Sequence, residues 1–381
     1  MRVGIFLPKA FRPYSVDFDG YVKELLLAGH EPVVVCRANE NGPPVCRVVE
    51  TTEEEERTQQ FWKDLKLDVC ICYTWLRLPE TLSAMRAAGT YVLSRADTDG
   101  QFSYRVHPRA TFRNLVGIAR GPADYLRRLR HYLRCYFSFY RVFDRESLAV
   151  IEASDAFVIE TWGARENLAA FLNYHHRGHL LDRLHVVAHS VPDDFLVSPI
   201  GEKNLPLIYC AGRWDDRIKA APLLSRAISR ILAREPQAEF LMTGFGVEEA
   251  FGQLSGYPQV RLLGRLPRHS LPALLAECQL HLSASIAESQ PIGALEALCC
   301  GATVVGTPIP GIEDIVDHDR FGAVSASYST DSLVTATLDE LKRWKNRERD
   351  QSAIAAHWRE RVGNKTVMRK LLEIPAEKLS R

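Results

Sequence analysis

Short runs of β-branched and apolar residues recur along the chain, and a longer stretch of helical periodicity follows each one. Such alternation builds a parallel sheet covered by helices on both faces, so the pattern predicts an α/β fold. In the first half the strand runs are Val3 to Leu7, Pro32 to Cys36, Asp68 to Tyr73, Tyr91 to Ser94, Ala156 to Ile159 and Leu184 to Ala188. In the second half they are Pro206 to Cys210, Ala238 to Thr243, Val260 to Leu263, Leu280 to Ala284 and Thr303 to Gly306. The runs are continuous rather than alternating, as expected for strands buried on both faces. Residues 190–201 are rich in turn formers and lack helical periodicity, which places a linker there. Two Rossmann-like domains facing a cleft are therefore expected, residues 1–198 and 199–350. The remainder of a mixed-charge tail that looks helical from Ser332, residues 351–381, is expected to cross back to the first domain.

Composition narrows the picture. With 46% hydrophobic and 25% charged side chains over 381 residues, the chain is of ordinary globular type. Its 48 basic and 47 acidic side chains leave a formal charge of +1, so no global field calls for a polyanionic partner. The nine cysteines are scattered from Cys36 to Cys300 without a Cys-x-x-Cys pair, which points to reduced thiols in the cytoplasm. The N-terminal apolar run meets Pro8 and Lys9 too soon for a signal-peptide core, and no stretch of 18 apolar residues predicts a membrane span.

One segment departs from this balance. Residues 105–145 hold ten arginines against Asp124 and Asp144, a local charge of +8, within a predicted helical insert over 105–150. Leu126, Leu129, Leu133, Tyr136, Tyr140 and Phe143 form a helical stripe, with Arg127, Arg130, Arg134, Arg141 and Arg145 one position on. A basic amphipathic helix of this kind suits an anionic membrane surface or an anionic acceptor. It predicts a peripheral protein on the inner face of the membrane. The rest of the chain is net acidic, which argues against nucleic acid. His175, His176 and His179 cluster around Gly178 without a carboxylate or thiol among them, so they read as a solvated helix end.

The chemistry concentrates in residues 287–306, which read as loop, helix, glycine stop and strand. Ser289 is the expected N-cap, Pro291 lies in the first turn, and Gly301 takes the left-handed position after the helix. The free N–H groups at that helix start form an anion site beyond the preceding strand. Glu288 stands at its mouth and Glu296 lies inside, where a carboxylate needs donors such as sugar hydroxyls.

Glu288 and Glu296, seven residues between them, followed by Ala297-Leu298 and Gly301, resemble the signature of retaining glycosyltransferases of the GT-B fold, sequence family four. Gly212-Arg213 with Lys219, Gly244-Phe245-Gly246, Leu263-Gly264-Arg265-Leu266 and the stretch 187–195 resemble the family in the same order. The resemblance implies a nucleoside diphosphate sugar as donor substrate and no cofactor or metal. Arg213 and Lys219 would neutralise the leaving diphosphate, and Glu288 would hold the transferred sugar. Glu296 would hold the ribose hydroxyls, with Gln290 and the amides of Ile292 and Gly293 close by, and Arg265 and Leu266 would receive the base. The acceptor, a glycan, a lipid-linked molecule or a small molecule, would lie on the first domain.

Two departures stand out. The loop from Lys9 to Gly20 lacks the family's glycine pair, and Ser94-Arg95-Ala96-Asp97 lacks its histidine. In the family that histidine faces the sugar, and Asp97 is the catalytic candidate for the vacant position, pointing a carboxylate or its backbone carbonyl at the reacting sugar, with Asp99 second. Asp97-Thr98-Asp99 also spells the metal triplet of the GT-A fold, a weaker reading than the ordered second-half motifs. A non-catalytic nucleotide-sugar-binding partner protein and a nucleotide-sugar epimerase are the alternative functions the same fold allows.

Overall fold

A computed structural model describes residues 1–11, 16–40, 45–73, 78–119, 121–203 and 205–379. Arg12 to Ser15 of the first loop and Arg120 of the basic segment lie outside the described residues. The chain divides into two compact units. The first comprises residues 1–111, 130–192 and 364–381, and the second 112–129 and 193–363.

The first unit is built on seven strands: β1 (Arg2–Phe11), β2 (Glu31–Asn39), β3 (Arg47–Glu50), β4 (Val69–Tyr73), β5 (Tyr91–Arg95), β6 (Ala156–Ile159) and β7 (Leu184–Val186). They form one parallel sheet in the order β3-β2-β1-β4-β5-β6-β7. Six of them lie where the apolar runs predict strands. The edge strand β3 escapes that reading because Arg47-Val48-Val49-Glu50 offers only two apolar residues. Phe6, Cys70, Val92 and Phe157 fill one face of the sheet, and Ile5, Val34, Ile71 and Leu93 the other.

The second unit carries β8 (Leu207–Ala211), β9 (Glu239–Thr243), β10 (Val260–Gly264), β11 (Leu280–Ser283), β12 (Thr303–Gly306) and β13 (Gly322–Val324). They also pair in parallel, in the order β10-β9-β8-β11-β12-β13. β13, three residues long, is too short to announce itself. The helix Ala221–Leu232 lays Leu224, Ile228 and Ile231 on this sheet with full burial.

The unit boundaries differ from the expected 1–198, 199–350 and 351–381. The first sheet's unit ends at residue 192, and the turn-rich linker contains the helix Asp193–Val197, anchored by the buried Phe195. The tail is three helices, Thr330–Lys345, Gln351–Val362 and Asn364–Leu379. Between the first two the chain breaks at 346–350, where the Asp350 side chain accepts the amides of Ser352 and Ala353. The middle helix stays with the second unit because Arg359 donates to the carbonyls of Cys299 and Ser198. Only the last helix belongs to the first unit, burying Val367, Met368 and Leu371 beside Tyr21, Val22 and Leu25.

That last helix contributes core area to a unit some 170 residues away along the chain. Leu371→Ala removes a fully buried side chain and should destabilise the first unit by about 2 to 5 kcal/mol. Chemical denaturation of the full chain measures this, and an unshifted first-unit transition would show that the helix adds little to that core.

Candidate donor and acceptor sites

In the second unit the loops after β8, β9, β10 and β11 leave the carboxyl edge of one parallel sheet. Gly212 follows β8 directly and donates its amide to the Thr243 carbonyl at 3.3 Å. Gly244 has φ +119°, and a Cβ there would stand 1.9 Å from the Gly212 carbonyl oxygen. Only glycine lets these two loops touch. Gly246, at φ +74°, precedes the helix Val247–Phe251, while Phe245 accepts the Trp214 amide at 2.9 Å. Arg265 and Leu266 follow Gly264 at the end of β10, the first exposed and the second half-buried.

Lys219 closes a short turn after Asp216, whose side chain accepts the Ile218 amide. Its Nζ lies 2.6 Å from Glu288 Oε1, which also accepts the Ser285 hydroxyl. Arg213, by contrast, has a side chain 74% exposed and, among the described residues, pairs with Asp215 alone, at 3.7 Å. The two predicted cations are thus held differently, Lys219 pre-set by a carboxylate and Arg213 projecting into solvent.

The helix after the Glu288 loop runs Ile292–Cys299, with Pro291 rather than Ser289 at the N-cap. Pro291 has extended backbone, so the serine falls two residues short of capping position. Gln290 is buried. A Cβ on Gly293 would stand 3.5 Å from Ala211 and 3.7 Å from His281, so the first turn lies against the end of β8. Gly301 takes φ +78° and donates to the Leu298 carbonyl, the expected helix stop.

Glu296 is buried and accepts from Arg268 Nη2 at 2.5 Å. Burial raises its pKa, and Arg268 opposes the shift by charge and hydrogen bond. Its hydrogen-bond donor is therefore an arginine side chain. Sequence spacing gave no sign of Arg268, which lies 28 residues away. His281, on β11, is a second residue that the sequence left unmarked. Burial, with Lys219 adding to it, drives its pKa down to about 3, which keeps the ring neutral beside the helix start.

The first unit has its own polar cluster, again on loops that leave one sheet edge. Asp97 follows β5, Glu160 follows β6 and His189 follows β7. His189 Nε2 lies 3.7 Å from Asp97 Oδ1 and 3.9 Å from Glu160 Oε1. Arg95 Nε lies 3.7 Å from the same Glu160 oxygen, and Arg95 Nη2 donates to the carbonyls of Val187 and Ala188. Asp97 thus stands beside a histidine contributed by a distant loop. Asp99 does not join it: its Oδ1 accepts the Gln101 amide at 2.9 Å, a local turn bond.

The basic insert folds as helices Pro108–Leu115 and Pro122–Arg134, a π-turn over Cys135–Phe139 and the helix Tyr140–Ala153. A π-turn adds one residue to a turn, so it shifts the phase of the predicted apolar stripe. Between Pro122 and Ser147 the buried positions are Tyr132, Cys135, Asp144 and Ser147, whereas Leu126 and Leu133 face solvent. Phe137 is 66% and Phe139 50% exposed, among the exposed Arg130, Arg134, Arg141 and Arg145. Arg134 contacts His131, and Arg141 donates to the Tyr140 hydroxyl at 3.0 Å. Arg127 falls in the second unit and pairs with Asp124 at 2.5 Å, next to Arg128 and Arg217. Asp144 is buried and accepts from Ser103 and His175, so His175 is a packed helix-end residue and not a solvated one. Among the described residues no helix is long and apolar enough to cross a membrane.

Residues 205–343, which hold both carboxylate–cation pairs, match the glycosyl transferases group 1 family. One component of human phosphatidylinositol N-acetylglucosaminyltransferase is 28% identical over 133 residues, 34% of this chain and 27% of that protein. A phosphatidyl-myo-inositol mannosyltransferase of Propionibacterium freudenreichii subsp. shermanii is 29% identical over 138 residues, 36% of this chain and 34% of that protein. The matched region thus spans about a third or less of these relatives. Among solved structures, sucrose-phosphate synthase from Thermosynechococcus elongatus superposes with a TM-score of 0.70 at 12% identity, covering 100% of this chain and 99% of that one. Anabaena Alr3699/HepE in complex with UDP and glucose gives 0.66 at 14% identity, covering 100% and 99%. The fold is GT-B, two Rossmann-like α/β domains, and the stretch similar to the group 1 family carries the Lys219–Glu288 and Arg268–Glu296 pairs.

Burial pushes the Glu160 carboxyl from an ordinary 4.5 up to about 7, with His189 and then Arg95 pulling it back. The folded chain therefore holds this proton more tightly than the unfolded chain. The group's contribution is full below pH 4.5, declines as pH rises towards 7, and is constant above that. Glu160→Gln should abolish a loss of about 3 kcal/mol between pH 4.5 and 8. The difference between wild-type and variant unfolding free energies, measured at both pH values, should shrink at low pH, and a constant difference would contradict the assignment.

Proposed function

We propose that the protein is a retaining, metal-independent glycosyltransferase that moves a sugar from a nucleoside diphosphate sugar on the second unit to an acceptor on the first. The observation that carries this is the Lys219–Glu288 pair, at 2.6 Å and largely shielded from solvent, in a domain of the group 1 family. As the bond from the anomeric carbon to the diphosphate oxygen breaks, its electron pair passes to that oxygen and negative charge grows on the phosphate. A cation already in place lowers that barrier without reorganisation. Lys219 is held in place by Glu288, and Arg213 is extended enough to close on the phosphate when donor binds. The N–H groups at the start of helix Ile292–Cys299, around Gly293, supply further positive potential. Glu296 would trade Arg268 for, or share it with, the ribose hydroxyls. Gly244 and Gly246 keep the loop free of side chains beside the donor, and Arg265 and Leu266 receive the base. The acceptor hydroxyl attacks the face the leaving group departs from and gives its proton to the departing phosphate oxygen, which preserves the anomeric configuration.

The acceptor we favour is lipid-linked or a growing glycan, reached from a membrane surface on the cytoplasmic side. Exposed Phe137 and Phe139 among Arg130, Arg134, Arg141 and Arg145 combine rings suited to headgroup depth with cations suited to anionic lipid. Each cation near such a surface adds about 1 kcal/mol.

Turnover assayed against a panel of UDP, GDP and ADP sugars tests the central claim, with the product anomer read by NMR. Lys219→Ala or Arg213→Ala should lower turnover by about 100- to 1,000-fold, the scale of a lost transition-state donor. Intact turnover in both variants would overturn the phosphate assignment, and no reaction with any donor would favour a binding protein. For the surface, the wild type should sediment with vesicles containing anionic lipid and not with zwitterionic vesicles, less so in high salt. Arg130→Glu, Arg134→Glu and Arg141→Glu together should release it, and equal sedimentation of both proteins would overturn the membrane reading.

A further inference from the structure

We propose that Glu160, His189 and Asp97 form a seat on the first unit for adjacent hydroxyl groups of a neutral polyol, a sugar or cyclitol ring. This deepens the proposed function, which assigns the acceptor to the same unit.

The argument starts from Glu160. Its side chain is fully buried, and neither carboxylate oxygen accepts a hydrogen bond from another described residue. Its neighbours stand at 3.7 Å (Arg95 Nε) and 3.9 Å (His189 Nε2), beyond hydrogen-bond length. A buried carboxylate short of donors is costly, and either a cation or O–H groups relieve it.

Charge decides between them. Asp97, Glu160 and His189 offer ligand atoms all within 4.8 Å of one another, a spacing a divalent ion could use. Arg95, however, is buried beside Glu160 and fixed by the carbonyls of Val187 and Ala188, so it cannot swing away. It already balances the Glu160 charge and would repel a dication bound to the same oxygen. What Glu160 lacks among the described residues is a donor within hydrogen-bond distance rather than a neighbouring positive charge. The gaps from His189 to Glu160 and to Asp97, 3.9 and 3.7 Å, each suit one hydroxyl oxygen at about 2.7 Å from both neighbours. Such a hydroxyl donates its one proton to the carboxylate and accepts from the imidazole N–H. Both gaps start from Nε2, which has one hydrogen-bonding position, so one hydroxyl bridges it to a carboxylate and a hydroxyl on the adjacent ring carbon donates to the other carboxylate. Asp97, with its side chain 48% exposed, opens the seat to solvent.

Saturation-transfer difference NMR on the full chain, without donor, tests this with myo-inositol, methyl α-D-glucoside and methyl α-D-galactoside as probes. At least one probe should bind, and Glu160→Gln, His189→Leu and Asp97→Asn should each weaken it tenfold or more. Asp97→Asn, at a half-exposed position, guards against a folding defect, and UDP affinity within twofold of wild type reports an intact second unit. No binding by any probe, or binding indifferent to all three changes, would overturn the proposal. So would one-to-one binding of Mn²⁺ or Zn²⁺ that the same changes abolish. Donor turnover is read separately, so polyol binding without turnover would sink only the transferase reading.

Discussion

Parallel pairing is the constraint on which the rest depends. When every strand of a sheet runs the same way, the loops that follow the strands all emerge along one edge. In the second unit that edge gathers Gly212, Lys219, Gly244, Arg265 and Glu288 from the loops after β8, β9, β10 and β11. In the first it gathers Asp97, Glu160 and His189 from those after β5, β6 and β7. Residues tens of positions apart become neighbours because the intervening helices return the chain to the start of the next strand. These polar side chains are thereby gathered on two short rims, and the apolar faces of both sheets remain free for packing.

Within those rims, buried charge is handled in two ways. Glu288 and Glu296 each face a cation, Lys219 and Arg268, at hydrogen-bond distance. Such pairs set the orientation of the cation before any ligand arrives, and an incoming anion or hydroxyl can exchange for a partner already present. Glu160 differs, since Arg95 and His189 balance it from beyond hydrogen-bond length. The ionised form is consequently less well supported, and burial dominates its titration. Paired carboxylates hold other residues in position, while an under-bonded one is suited to take a ligand itself.

The basic insert shows how a local irregularity redirects a surface. A regular helix would have gathered Leu126, Leu133 and Tyr136 on one face with Phe143. The π-turn at Cys135–Phe139 advances the phase, turning Tyr132 and Cys135 inward and Phe137 and Phe139 outward. The arginines keep their exposure on either side of it. Rings and cations therefore share the solvent face instead of dividing between core and surface.

The sequence by itself determined the parallel α/β architecture, because central strands buried on both faces must be continuously apolar and so stand out from the helices between them. It also located the Glu288 to Gly301 stretch, the Gly212 and Gly244 turns and the local excess of arginine, since backbone strain, helix stops and charge are written in single residues or short spacings. Short edge strands such as β3 and β13 left too little apolar signal to read. The start of the helix at Ile292 needed the backbone angles of Pro291, and the phase of the insert needed the π-turn. Only the tertiary structure decided that Arg268 answers Glu296, that Lys219 is held by Glu288, and that the last helix belongs to the first unit's core. The same holds for His189 beside Asp97 and Glu160. Those relations join loops that follow different strands, and no local spacing encodes which loops a sheet will bring side by side.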